Sequence, residues 1–264
     1  MPAAARKLAF VLASSNHGTM IVNRFDQHMI GPDVGYGVGF QILNTGAFDP
    51  GEVDLAIQLL RLRHKHYGDG VVALDCGANI GVHTVEWAKE MTGWGSVLAV
   101  EAQERVFYAL AGNVAINNCF NAIVLNAAIS SKAGNMKIPV PDYTQAASFG
   151  SLELRKSDRN EFIGQKIDYD SAVDVRTLAI DDFGLTRVDF LKIDVEGMEM
   201  EALDGARTVL AIHRPIMLIE KIKTDAVALQ KRLEEAGYVV MSADINLLAI
   251  HRDDKTLADL QPKR

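Results

Sequence analysis

The stretch VVALDCGANIGVHTVEWA, residues 71–88, decides how the rest of the chain is read. It opens with an apolar run, 71–74, of the length and β-branched content of a strand buried in a parallel sheet. The run ends at an acid, Asp75. A turn carrying Gly77, Asn79 and Gly81 follows, and Val82, Val85 and Trp87 then open a segment read as helix. Such a junction sets backbone N–H groups and the positive end of a helix beyond the strand's carboxyl end. Glycine and asparagine serve there because they tolerate left-handed backbone. The plainer reading is a tight strand-to-helix turn that binds nothing.

A second apolar run, 96–100, ends at another acid, Glu101. An acid at the tip of the second strand, about twenty residues past the loop, is placed to accept both ribose hydroxyls of a nucleoside cofactor. The glycines do not make the G-x-G-x-x-G of dinucleotide sites. That omission weighs against a nicotinamide-dependent oxidoreductase. The spacing D-x-G-x-x-x-G with a later Glu instead resembles the S-adenosylmethionine site of class I methyltransferases.

Composition bounds the rest. A chain of 264 residues, 48% hydrophobic, is long enough for a proper core in one domain with at most a small appendage. Its net charge of -7 argues against a nucleic-acid partner, because a surface that tracks phosphates is basic. The basic cluster of Arg61, Arg63, His64, Lys65 and His66 reads as a solvated helix end. Two cysteines, Cys76 in the loop and Cys119 in a helix-to-strand connection, make no disulfide framework and fit a reducing cytoplasm. Arg6 and Lys7 before the apolar run 8–13 imitate a secretion signal, but that run is short and reads better as a first strand. No run approaches a membrane span.

Residues 1–48 alternate short apolar runs with turns and read as a hairpin-like cap on a main domain, 49–264. Asp49, Pro50 and Glu52 look like an N-cap, a first-turn proline and a capping-box acid for a helix carrying Val53, Ile57 and Leu60. Beyond Glu101 a helix over 106–117 and a third strand over 123–128 continue the alternation expected of βαβ units and a parallel sheet. Segments 137–140 and 173–178 look like strands. The intervening 139–172 is an irregular insertion, read as a candidate substrate loop. Strands over 188–193 and 215–219, a helix over 226–236 and a terminal antiparallel hairpin over 238–251 complete a doubly wound, mostly parallel α/β sheet.

The strand over 188–193 delivers FLKIDVEGMEMEAL. Ligands of open α/β sheets bind at the carboxyl ends of strands, so Asp194, Glu196 and Glu220 are the candidate catalytic acids. The competing readings are a helix cap for Asp194 and helpful first-turn charge for Glu196 and Glu199. Lys192 shares a strand face with Asp194 and reads as a structural partner of one of these acids, the alternative being a base with a lowered pKa. Convergent carboxylates are hard oxygen ligands suited to Mg²⁺ or Ca²⁺, yet no metal is assigned, and no His/Cys spacing points to zinc. His83 reads as a helix residue near the pocket; His17, His28, His213 and His251 have no partner visible in sequence.

The segments DCGANIGVHT and LKIDVEGMEMEALDGA, in that order and separation, resemble the FkbM family of S-adenosylmethionine-dependent methyltransferases. The likeness runs from about residue 49 to residue 251. It implies a Rossmann-like class I methyltransferase fold and S-adenosylmethionine as cofactor. Asp75, Gly77, Asn79 and Gly81 would line its methionine and ribose side, Glu101 would hold the ribose, and Asn126 and Ala127 would flank the adenine. The expected reaction is methyl transfer to a hydroxyl oxygen of a small molecule or glycan, with N-methylation as the variant. Neither a nucleic acid nor a membrane is expected as partner, and a homodimer is kept open. The rivals are the oxidoreductase and a non-catalytic nucleotide-binding module.

Overall fold

The computed structural model describes residues 7–32 and 34–260. In chain order it contains β1 (Phe10–Ser15), β2 (Gly18–Asn23), β3 (His28–Met29), β4 (Gly35–Tyr36), α1 (Val38–Thr45), α2 (Pro50–Tyr67), β5 (Val71–Cys76), α3 (Val82–Glu90), β6 (Gly95–Glu101), α4 (Glu104–Ile116), β7 (Ala122–Asn126), β8 (Ala128–Ile129), β9 (Gly134–Pro139), β10 (Ala172–Leu178), β11 (Phe190–Ile193), α5 (Glu199–Asp204), α6 (Arg207–Ile212), β12 (Ile216–Glu220), α7 (Ala226–Glu235), β13 (Tyr238–Ala243), β14 (Asn246–His251) and α8 (Leu257–Leu260).

Seven strands form one sheet in the order β13-β14-β12-β11-β5-β6-β7. Its five strands β12 to β7 run parallel, and β14 pairs antiparallel with both β12 and β13. The terminal hairpin therefore closes one edge of a doubly wound sheet. Strand alternation sorts the faces. Val71, Ala73, Phe190 and Leu218 pack with Leu59 and Leu60 of α2 and Val85 and Trp87 of α3. Leu74, Cys76, Leu191 and Ile219 point the other way, toward Leu203 of α5, Val209 of α6 and Leu229 of α7. Cys76 is thus the last residue of β5 and a core side chain, not part of the loop.

The third expected strand divides. β7 stays in the main sheet, whereas β8 turns away and pairs with β10 in a second sheet of order β8-β10-β9. The break lies at Ala127, where the Asn126 amide donates back to the carbonyls of Glu101 (2.9 Å) and Ala102 (3.1 Å). The helix expected after residue 199 also divides, into α5 and α6, because the Asp181 carboxylate accepts from the N–H groups of Thr208 and Val209 and so starts a new helix.

At the N-terminal end, β1 and β2 form an antiparallel hairpin. Met20 and Val22 of β2 and Ile42 of α1 share a buried cluster with Val53 of α2 and Val106 of α4, and the Asn113 side chain bonds both the N–H and the carbonyl of Ile21. Two local readings need correction. Asp49 occupies the cap position of α2 with φ 36° but makes no side-chain cap bond, and Glu52 turns away from the capping box toward the cavity described below. The cluster at the end of α2 is not merely a solvated helix end. Arg63 is buried and pairs with Asp189 and Asp254, while the ring of His64 stacks on Trp94 at 4.3 Å. Long-range partners took the basic residues that helix periodicity had assigned to water.

Candidate active site

The carboxyl ends of β5, β6, β11 and β12 open into one cavity of about 390 Å³, within the range of small-molecule sites, about 300–1,000 Å³. Its floor is the glycine loop. The N–H groups of Gly77 and Ala78 both donate to the Val100 carbonyl (2.9 and 3.0 Å), which ties the loop to the neighbouring strand. Gly77 has φ 83°, and a Cβ there would fall 1.7 Å from the Asp194 carbonyl oxygen. Glycine is therefore demanded at this position by the approach of β11, whatever binds above it. Gly77→Ala should cost at least about 1–2 kcal/mol from the left-handed backbone alone, with displacement of the Asp194 turn added. Urea denaturation measures this, and wild-type stability of the variant would contradict the packing described.

Glu101 stands where the second strand ends. Its carboxylate accepts from the N–H of Asn79 (3.0 Å) and of Gln103 (2.7 Å). Burial outweighs these bonds and pushes it up to about 7. The carboxylate is short of donors and each oxygen has lone pairs to spare. The walls beside it are apolar: Ala102, Ala127, Ala128, Ile129, Leu152 and Leu154.

Not every expected cofactor residue reaches this cavity. Gly77, Asn79, Glu101 and Ala127 line it. Asp75, Gly81 and Asn126 lie behind the wall. Asp75 is 1% exposed and accepts from the Thr84 hydroxyl at 2.6 Å, because period two aims it at α3. Gly81 opens α3 against the side chain of Leu110, and the Asn126 amide is spent on two carbonyls. Gln103 went unnoticed in the sequence. It lines the cavity, donates from its side chain to the Phe149 carbonyl (2.8 Å) and accepts from the Tyr143 hydroxyl (3.0 Å).

Those bonds bring in the insertion, which has no helix or strand between β9 and β10 yet packs around buried Ala147, Phe149, Leu152 and Ile163. Gly150 comes so close that a Cβ would lie 2.5 Å from the Asn79 amide nitrogen. Asp26, near the first hairpin, accepts from the N–H groups of Gly39 (2.8 Å) and Phe149 (2.9 Å). The insertion and the N-terminal segment are thus stitched together over the sheet, and the insertion lines the Glu101 side of the cavity as well as its far end.

The three candidate acids converge. Asp194, Glu196 and Glu220 each offer an oxygen within 4.8 Å of the others. Asp194 is no helix cap, since α5 begins at Glu199 with Met198 in the cap position. It pairs instead with Lys192 at 2.7 Å. Burial works to lower the Lys192 ammonium, but Asp194, Glu52 and Asp75 more than offset this and hold it above its ordinary value. Glu196, at φ 55°, turns its side chain back to Lys223. Burial and the adjacent Asp194 nevertheless keep Glu196 well above the ordinary carboxylate range. Glu199 folds onto its own turn and accepts from the N–H groups of Val195 and Gly197.

Glu220 differs from its neighbours. It is 7% exposed, its Oε2 has no hydrogen-bond partner among the described residues, and it faces the cavity. Burial and the Asp194 charge push it up to about 8. Glu52, also in the lining, lies 3.2 Å from His83 Nε2 and accepts at 2.7 Å from the amide of Asn246, the strand partner of Glu220. Burial would raise Glu52, but His83, Lys192 and Asn246 prevail and hold it at about 2. His83 therefore does line the cavity. No helix among the described residues is long and apolar enough to cross a membrane.

The Methyltransferase FkbM domain model matches residues 75–240, more than half of the chain. A curated relative, Methyltransferase sdnD of Sordaria araneosa, is 28% identical over 155 residues, which take in 50% of this chain and 59% of that protein. Among solved structures, a methyltransferase FkbM from Methylobacillus flagellatus KT aligns with 69% of this chain and 43% of its own, at 19% identity and a TM-score of 0.48. A SAM-dependent methyltransferase from Aquifex aeolicus aligns with 77% of this chain and 100% of its own, at 16% identity and a TM-score of 0.36. The chain spans well under two thirds of the first two relatives' lengths. With both sequence segments inside the matched region, the chain belongs to the FkbM methyltransferase family, whose cofactor is S-adenosylmethionine.

Proposed function

We propose that the protein transfers a methyl group from S-adenosylmethionine to a hydroxyl oxygen of a small molecule or glycan. The observation that carries this reading is one continuous cavity with Glu101 and apolar walls at one end and Asp194, Glu196 and Glu220 at the other. The first end suits a nucleoside: an acid short of donors to meet a ribose diol, and apolar faces for a purine. When bound, the cofactor supplies a methyl group already activated on a sulfonium. The chain's own work is then to orient the acceptor, exclude water and take a proton.

Of the three acids, Glu220 fits the proton-accepting role best. The carboxylates of Asp194 and Glu196 each accept a hydrogen bond from a lysine, which occupies lone pairs that would otherwise receive the proton. Glu220 has no such partner, and its elevated pKa brings it near the range in which a general base is effective. Glu220 would take the hydroxyl proton of an acceptor held for methyl transfer. Asp194 and Glu196, fixed by Lys192 and Lys223, set the field around it.

Titration calorimetry with S-adenosylhomocysteine tests the cofactor end. Glu101→Ala should fold and bind roughly 10- to 150-fold more weakly, since a charge-assisted hydrogen bond contributes about 1.5–3 kcal/mol. Neither protein should bind a nicotinamide dinucleotide. Unchanged affinity in a folded Glu101→Ala protein would remove Glu101 from the site, and dinucleotide binding by the wild type would overturn the assignment of the cavity.

A further inference from the structure

The far end of the cavity is rich in hydrogen-bond acceptors, and among the described residues the two lysines that line the cavity are both held by carboxylates. Lys223 donates to the Ser151 carbonyl at 2.8 Å and to the Glu196 carboxylate, and stands 3.3 Å from the Glu161 carboxylate. Two hydrogen bonds and one ion-pair contact thus surround this ammonium. Lys192 makes one hydrogen bond, to Asp194, and its charge is matched by Asp194, Glu52 and Asp75. Among the described residues no arginine lines the cavity. Glu220 is more than nine-tenths buried and without a donor among the described residues. Glu161 accepts only a neutral hydroxyl, that of Tyr36 at 2.7 Å, besides its contact with Lys223. Ile222 and Ile245 complete this end.

A phosphate, a carboxylate or a nucleotide-linked acceptor would meet desolvated like charge here, and both lysines that line the cavity are already held by carboxylates. A ligand that fits must bring donors and positive charge of its own. On that ground, and resting on the methyltransferase reading above, we propose that the acceptor carries a protonated amine beside its hydroxyls, as amino sugars and aminocyclitols do, and that Glu161, Glu196 and Glu220 recognise this amine. The cofactor does not remove the requirement, because Asp49, Glu52 and Asp194 also line the cavity and remain for its own positive groups.

The protein is first saturated with S-adenosylhomocysteine and then titrated with glucosamine, N-acetylglucosamine, glucose and glucosamine 6-phosphate, with binding followed by calorimetry and ligand-observed NMR. Glucosamine should bind about tenfold or more tightly than its acetylated or deaminated counterparts, and the phosphate should weaken it. Glu161→Gln and Glu220→Gln should each reduce the preference for the amine. Equal or tighter binding of a neutral or phosphorylated sugar, failure of glucosamine to bind, or a preference that survives both substitutions would overturn the proposal. So would binding of MgCl₂ alone that Glu220→Gln abolishes, since the acids would then serve a metal. Failure to bind S-adenosylhomocysteine at the first step would instead count against the methyltransferase reading itself.

Discussion

Glu220→Gln is expected to lower the single-turnover rate of methyl transfer by about 10²-fold or more, the usual range of general-base contributions, while affinity for S-adenosylhomocysteine stays near that of the wild type. The amide keeps the shape and cannot take the proton. Because a base works in its ionised form, the wild-type rate should rise with pH and level off above the Glu220 pKa of about 8. The groups that set this value are Asp194 and Glu199, which raise it, and Lys192 and Lys223, which lower it; burial is the largest cause. Lys223→Met should therefore move the limb to higher pH, and Glu220→Gln should abolish it. Folding is not at risk in Glu220→Gln, since the substitution removes a buried charge that lacks a partner. Asp194→Asn is a poorer test, because it would take from the buried Lys192 its closest counter-charge. A Glu220→Gln protein that turns over at the wild-type rate across the pH range would leave the catalysis to positioning.

Arg63→Met should have the largest effect on stability, about 3–5 kcal/mol, the cost of breaking a buried ion pair from one side. Arg63 donates from Nε and Nη2 to one oxygen of Asp189 (3.2 and 3.0 Å) and from Nη1 to Asp254, with its guanidinium 4.1 Å above the ring of Tyr67. Asp189 is fully buried and retains Arg187 at 2.7 Å, but Asp254, 7% exposed, has no other ion-pair partner among the described residues. Removal of Arg63 strands that carboxylate. Adding Asp254→Asn to Arg63→Met should recover part of the loss, because the stranded charge goes with it. Asp189 also accepts from the N–H of Val72 at the start of β5. The network thus lies at the amino ends of the strands, opposite the cavity, and folded Arg63→Met should bind S-adenosylhomocysteine as the wild type does. Chemical denaturation measures the first expectation and calorimetry the second; a loss under 1 kcal/mol would mean that solvent screens the pair.

Much of the fold is legible along the chain because its signals are local. The apolar run into Asp75, the glycines after it and the acid at Glu101 lie within about thirty residues, the span of one strand–helix–strand unit. The terminal hairpin can be read for the same reason, since its strands are joined by only two residues, Asp244 and Ile245. Errors arose where a distant partner outbid a local pattern. Asp49 and Glu52 match a capping box, but Glu52 finds Asn246, 194 positions away. Arg63 sits in a basic run that helix periodicity assigns to solvent, and it is claimed by Asp189, 126 positions on.

The site divides along the same line. By itself the sequence determined the sheet's parallel core, the loop that Gly77 and Asn79 shape, and the acids at four strand tips, since each depends on residue type and spacing within one unit. Which of those acids faces the cavity was decided only by the tertiary structure. Strand pleating turned Asp75 toward Thr84, and the lysines on and after neighbouring strands took Asp194 and Glu196. Glu220 was left buried and without a donor, while Gln103, the insertion and Asp26 closed around Glu101. Lys192 and Asp194 lie close enough in sequence to be paired by strand alternation, but the other contacts join separate segments, from the 27 positions between Glu196 and Lys223 to the 123 between Asp26 and Phe149, and no local pattern records them.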